Sequence, residues 1–145
     1  MMRVVLDTNV FVSALLAPNS PPAGILELAL QGRLRLVISP GIIREIGQVL
    51  LYPKVKKSLQ KHRLSTEEVA DAIIKILKVA TITPGVEIAS GVSPDPADDR
   101  VLACAIEGRA DFIISGDRDL TELESYKGIR IVTPAAFVKL LTTPE

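Results

Sequence analysis

The chain predicts an α/β protein built on a mostly parallel sheet. Three observations carry that prediction. Short apolar runs alternate with longer stretches of helical periodicity. Helix-start signals, a capping residue followed by proline, recur directly after the strand-like runs. The composition is 48% hydrophobic, rich in Val, Ile, Leu and Ala, and so can fill a core between a sheet and covering helices.

The elements follow in order. Residues 3–6 are a short apolar run, read as a buried central strand. Asn9 is read as the cap of a helix from Val10, which carries Phe11, Ala14 and Leu15 on one stripe and stops before the proline-rich residues 18–22. A second helix covers 22–30 and ends at Gly32. Residues 34–38 form the second strand. Ser39-Pro40 then starts a helix that turns Ile42, Ile43, Ile46, Val49 and Leu50 inward until Pro53. The basic residues 54–63 are read as one or two short helical turns. Ser65 and Glu68 form a capping box for a helix with Val69, Ile73, Ile76 and Leu77 at helical spacing. A third strand is expected near 79–83, and a loop at 85–94. Asp95-Pro96 opens the next helix, which ends before Gly108. Residues 112–115 are the fourth strand, 120–126 a short helix or turn, 129–132 the fifth strand, and Thr133-Pro134 starts the last helix.

No linker or repeat divides the 145 residues, so residues 1–145 are read as one domain, with a helical subdomain at about 40–80 beside the sheet. Seventeen basic residues balance seventeen acidic ones, so no global positive field advertises a polyanion partner. The charge is nevertheless uneven. Lys54, Lys56, Lys57, Lys61 and Arg63 form a basic stretch without an acid, and are read as candidate RNA contacts. Aromatic residues make up only 3%, which argues against an open stacking platform for single strands. Cys104 is the only cysteine, which excludes an intrachain disulfide. No signal-peptide pattern and no long apolar run is present, so a cytoplasmic protein without a membrane span is expected.

The chemistry lies in the acids. Asp7 closes the first strand, Glu45 lies early in the helix after the second, Asp99 opens the apolar helix before the fourth, and Asp117 follows the fourth. In an open parallel sheet these positions gather in a crevice at the carboxyl ends of the strands. Crowded carboxylates repel one another, and a divalent cation resolves the conflict. An oxygen-only donor set selects Mg²⁺ or Mn²⁺, and metal-assisted phosphodiester hydrolysis is the chemistry such a site performs. Asn9 and Ser115 are auxiliary candidates for orienting a ligand. Asp95 and Asp119 are extra acids around the site; Asp95 also reads as a helix cap, and Asp98, three residues on, as an acid that returns that cap. An Asp directly after the first strand also occurs in haloacid-dehalogenase-like phosphatases. Those enzymes place a second Asp two residues on, where this chain has Asn9, and need a lysine that residues 99–119 lack.

The segments VVLDTNVFVSALL, SPGIIREIGQVL and DPADDRVLACAIEGRADFIISGDRDL together resemble the PIN domain family, in particular the VapC-like ribonuclease toxins of prokaryotic toxin–antitoxin systems. The resemblance covers nearly the whole chain. It implies a three-layer α/β/α fold with a five-stranded parallel sheet in the order 3-2-1-4-5. It implies that Asp7, Glu45, Asp99 and Asp117 bind Mg²⁺ or Mn²⁺ and cleave single-stranded RNA, with Asn9 as the asparagine of the DTN motif. Ser115 stands where a threonine is common. A homodimer and a small antitoxin partner are further implications. Val10, Leu16, Ile25 and Leu28 read as apolar surplus available to a two-fold interface. The rival expectation is a catalytically weak member that binds RNA or protein.

Overall fold

The computed structural model describes residues 1–87, 89, 91–92 and 95–142. Of the loop predicted at 85–94, residues 88, 90, 93 and 94 lie outside that set. Its strands are β1 (Arg3–Leu6), β2 (Arg35–Ile38), β3 (Thr81–Ile82), β4 (Phe112–Ile114), β5 (Ser125–Tyr126) and β6 (Ile129–Val132). Its helices are α1 (Thr8–Leu16), α2 (Pro21–Leu30), α3 (Pro40–Val49), α4 (Pro53–Lys61), α5 (Thr66–Val79), α6 (Pro96–Glu107), α7 (Arg118–Thr121) and α8 (Pro134–Thr142).

The sheet order is β3-β2-β1-β4-β6-β5. The first five in that order are parallel, so the expected five-stranded arrangement is present, with β6 as the predicted fifth strand. The addition is β5, which pairs antiparallel with β6. Lys127 and Gly128 join the two with φ of 49° and 82°, the left-handed pair that a two-residue hairpin turn requires. Where a helix or turn is expected at 120–126, the chain forms the end of α7 and then β5; a strand of two residues has no periodicity to detect.

Parallel strands need right-handed crossovers, and these put helices on both faces. On one face α1 packs on α2, and α2 on α8; α6 lies against β1, β2 and β4. Val4, Val5, Leu36, Val37, Ile113 and Ile114 are almost completely buried between these layers. Phe137 fixes α8 by an edge-on contact with Phe112, with ring centroids 5.3 Å apart. Val10 and Ile25 belong to this core, and Leu16 and Leu28 pack against it. Val10 and Ile25 are therefore used by the protomer core, whereas Leu16 and Leu28 stay partly exposed. Among the described residues, no helix is long and apolar enough to cross a membrane.

Local chemistry explains most helix boundaries. Ser39 caps α3 through Ile42 N–H, Ser65 caps α5 through Glu68 N–H, and Asp95 caps α6 through Ala97 N–H. One cap differs from expectation. Asp7, not Asn9, caps α1, because the helix starts at Thr8 and the Asp7 carboxylate accepts from Val10 N–H at 2.8 Å. The basic stretch is also more regular than expected, forming the nine-residue α4.

At the far end of α6, Glu107 holds the loop after β3. Its carboxylate accepts from the N–H groups of Gly85 at 2.7 Å and of Val86 and Glu87 at 2.9 Å each. The neighbouring Thr83 hydroxyl, although it meets no strict hydrogen-bond geometry, and these three amides hold the Glu107 pKa down to about 2 from 4.5. A depressed carboxylate pKa contributes stability above the unfolded value and loses it as pH falls toward the folded value. Wild type is therefore expected to lose this contribution between about 4.5 and about 2. Thermal melts of Glu107→Gln across the same range should lack that component; parallel profiles for the two proteins would exclude the tether.

Candidate metal centre

β1 and β4 lie side by side in register, with Leu6 opposite Ile114. The chain leaves β1 toward β2 on one side and returns to β4 on the other, so the crevice of an open α/β sheet opens at their carboxyl ends. The next residues, Asp7 and Ser115, enter it from below. Both are buried. The Ser115 hydroxyl donates to Asp7 Oδ2 and accepts from Asp117 N–H at 2.9 Å. Asp117 caps the short α7, its Oδ1 accepting from Asp119 N–H at 2.9 Å. One serine side chain thus ties together the two acids that end neighbouring strands.

Three helices complete the crevice. Asp7, Thr8 and Asn9 at the start of α1, Glu45 on α3, Asp95, Ala97, Asp98 and Val101 at the start of α6, and Asp117 line a cleft of about 40 Å³. One carboxylate oxygen from each of Asp95, Asp98 and Asp117 lies within 4.8 Å of the other two. Oxygens on one octahedral Mg²⁺ stand about 3 to 4 Å apart, given metal–oxygen distances of about 2.1 Å. The three can close on one ion with little movement. A volume of about 40 Å³ holds an ion with a water, since one water needs roughly 10–15 Å³ on the same measure.

The electrostatics also fit a cation. Burial raises the Asp7 pKa, and the charges of Asp117 and Glu45 push it further up, against hydrogen bonds from Ser115 and Val10 that lower it. The cluster therefore resists carrying its full negative charge unaided, and a divalent ion relieves that strain. Glu45 pairs with Arg100, whose guanidinium meets its Oε2 at 2.6 Å. Neither Arg100 nor this pairing was foreseen from the sequence.

The structure thus brings Asp7, Asn9, Glu45, Asp95 and Asp117 together, with Ser115 beneath them. It does not bring Asp99 into the lining. Asp99 is buried on another side of α6, where its Oδ2 accepts from Gly91 N–H at 3.1 Å. The first-turn acid of α6 that faces the cleft is Asp98. The reason is helical geometry: adjacent residues point about 100° apart, so only one of two neighbouring acids can face the sheet ends. A signal was present, because Asp95 and Asp98 are three apart at the helix start and share a face. Asp119 is exposed and serves as the α7 partner of Asp117. Lys54, Lys56, Lys57, Lys61 and Arg63 are exposed on or just after α4, and none lines the acidic cleft. Lys56 instead edges an apolar groove between α3, α4 and α5.

Fold and cleft together define a class: α/β proteins with an acidic, metal-type crevice at the switch point of a parallel sheet. The family description "PIN domain" matches residues 3–119, and this chain belongs to the PIN domain family. It is 32% identical over 152 aligned residues to the uncharacterized protein MJ1680 of Methanocaldococcus jannaschii, an alignment covering 95% of this chain and 90% of that protein. Among solved structures it is similar in fold to VapBC2 from Rickettsia felis bound to a DNA fragment from their promoter. That match has a TM-score of 0.55 at 14% identity and covers 90% of this chain and 97% of the other.

Proposed function

We propose that this chain is a Mg²⁺- or Mn²⁺-dependent endoribonuclease that hydrolyses single-stranded RNA. The observation that supports this reading most is the approach of the Asp95, Asp98 and Asp117 carboxylates to within 4.8 Å beside Asp7 and Glu45. Asp98, Asp117 and Asp95 would hold the ion, with Asp7 and Glu45 facing the same space. The ion would supply neutralising charge at the phosphoryl group and make a water nucleophilic near neutral pH. The chain's own work is positioning. Ser115 fixes the Asp7 carboxylate and the backbone of Asp117 at once. Asn9 offers an amide at the rim that can orient a water or a ligand oxygen. Arg100 keeps Glu45 in place, and its cationic head offsets part of the repulsion that five acids impose on a phosphodiester. The lysines of α4 would hold RNA beyond the cleft.

The same reading includes a homodimer and a small antitoxin partner, with the likeness to VapBC2 as support for the latter. The one feature favouring a catalytically weak RNA- or protein-binding module is the Arg100–Glu45 pair, because an acid held by a guanidinium competes less well for a metal. Purified protein incubated with a labelled single-stranded RNA separates the two readings. Cleavage that needs Mn²⁺ or Mg²⁺ and stops in EDTA is the expected result. Tight RNA binding without cleavage at millimolar Mn²⁺ would favour the weak module.

A further inference from the structure

The acidic cleft is small, at about 40 Å³, and five of its nine lining residues are acids. A second pocket begins at its wall. It has a volume of about 370 Å³ and shares Asn9 and Asp117 with the cleft. Its other lining residues are Val10, Ser13, Pro22, Gly116 and Pro134. This size falls within the range of about 300–1,000 Å³ typical of small-molecule sites.

We infer that this pocket is a nucleoside subsite, which takes the base and ribose next to the phosphate held at the acidic cleft. The inference rests on the nuclease reading above and adds the place where the substrate strand lies. Three observations carry it. First, the pocket and the cleft share Asn9 and Asp117 as lining residues, so a group seated in one lies within the span of a single nucleotide from the other. Second, the charge is wrong for a phosphate. Asp117 is the only charged side chain in the lining, so an anion would be repelled while a neutral base and sugar would not. Third, the polar and apolar groups match a nucleoside. Asn9 and Ser13 are four residues apart on α1 and therefore share one helix face. Among the described residues neither side chain has a protein hydrogen-bond partner, so an amide and a hydroxyl remain available to base edges or ribose oxygens. Val10 and the rings of Pro22 and Pro134 supply apolar walls against which a base can pack.

Ser13 is exposed on α1, and a Cβ added at Gly116 meets nothing within 4 Å, so these two lining positions have room for a larger side chain. The test uses the full chain with adenosine 5′-monophosphate, cytidine 5′-monophosphate and inorganic phosphate as probes, in the presence of Mg²⁺. Backbone amide shifts of Asn9, Val10, Ser13 and Gly116 should move saturably with the nucleotides and not with phosphate. Ser13→Leu should weaken nucleotide binding at least tenfold while its calorimetric affinity for Mn²⁺ stays within about twofold of wild type. Gly116→Leu is the independent second variant and should weaken nucleotide binding likewise. Nucleotide affinity unchanged in both variants, or the same shifts produced by phosphate alone, would overturn the subsite. Failure of the nuclease reading is a separate result: RNA would not be cleaved, yet the nucleotide-induced shifts at the pocket would still be read directly.

Discussion

Asp98→Asn should abolish RNA cleavage where Asp99→Asn does not. Asp98 faces the cleft and brings an oxygen within 4.8 Å of those of Asp95 and Asp117. Asp99 holds Gly91 N–H instead. Replacing a metal-facing carboxylate by an amide removes a charge and a strong donor, and metal ions supply several kcal/mol of transition-state stabilisation. At 1.36 kcal/mol per decade, a loss of about three orders of magnitude in turnover is expected. Asn at position 99 keeps a carbonyl that can accept from Gly91 N–H, so cleavage by Asp99→Asn should stay within about tenfold of wild type. Single-turnover cleavage in Mn²⁺, with calorimetry for metal affinity, measures both. Cleavage by Asp98→Asn within about tenfold of wild type would overturn the assignment of Asp98 to the centre, and an inactive Asp99→Asn would overturn the exclusion of Asp99.

The largest expected loss of stability comes from Gly108→Ala. Gly108 ends α6 with φ of −87°, so its value is space and not conformational freedom. A Cβ there would stand 2.2 Å from Val37 Cγ1, 3.2 Å from Cys104 O and 3.3 Å from Thr83 Cγ2. Val37 is buried in β2 with a β-branched side chain that has few alternative rotamers. The end of α6 must therefore move off the sheet. Overpacking of this kind costs about 1–3 kcal/mol, and the clash points to the upper end. Alanine restricts the unfolded chain and returns at most about 1 kcal/mol. Urea denaturation should show a net loss of roughly 2 kcal/mol, a large share of a typical stability of about 5–15 kcal/mol. A stability equal to wild type would mean that Val37 yields without cost. Because α6 also carries Asp95 and Asp98, Mn²⁺ affinity should fall in the same variant.

The sequence alone determined the frame. β1 and β6 fall where their apolar runs predicted, and Ser39-Pro40, Ser65 and Asp95-Pro96 start the helices they were expected to start. These signals are local: a cap acts within three residues, and a buried strand is apolar by itself. The gathering of Asp7, Glu45 and Asp117 was also legible, because topology alone carries strand ends of a parallel sheet to one edge. Which of Asp98 and Asp99 lines the cleft was marked only weakly, by the three-residue spacing of Asp95 and Asp98. Val101, Leu102, Ala103, Cys104 and Ala105 are all buried, so α6 is apolar nearly all round and its periodicity does not mark the face that meets the cleft. Only packing against β1, β2 and β4 fixes that rotation. Tertiary structure likewise decided the Arg100–Glu45 pair, whose partners lie 55 residues apart. It also decided the Ser115 bridge between two strand ends and the pocket that α1 shares with the acidic cleft. Each depends on distances between elements, and a one-dimensional pattern holds no such distances.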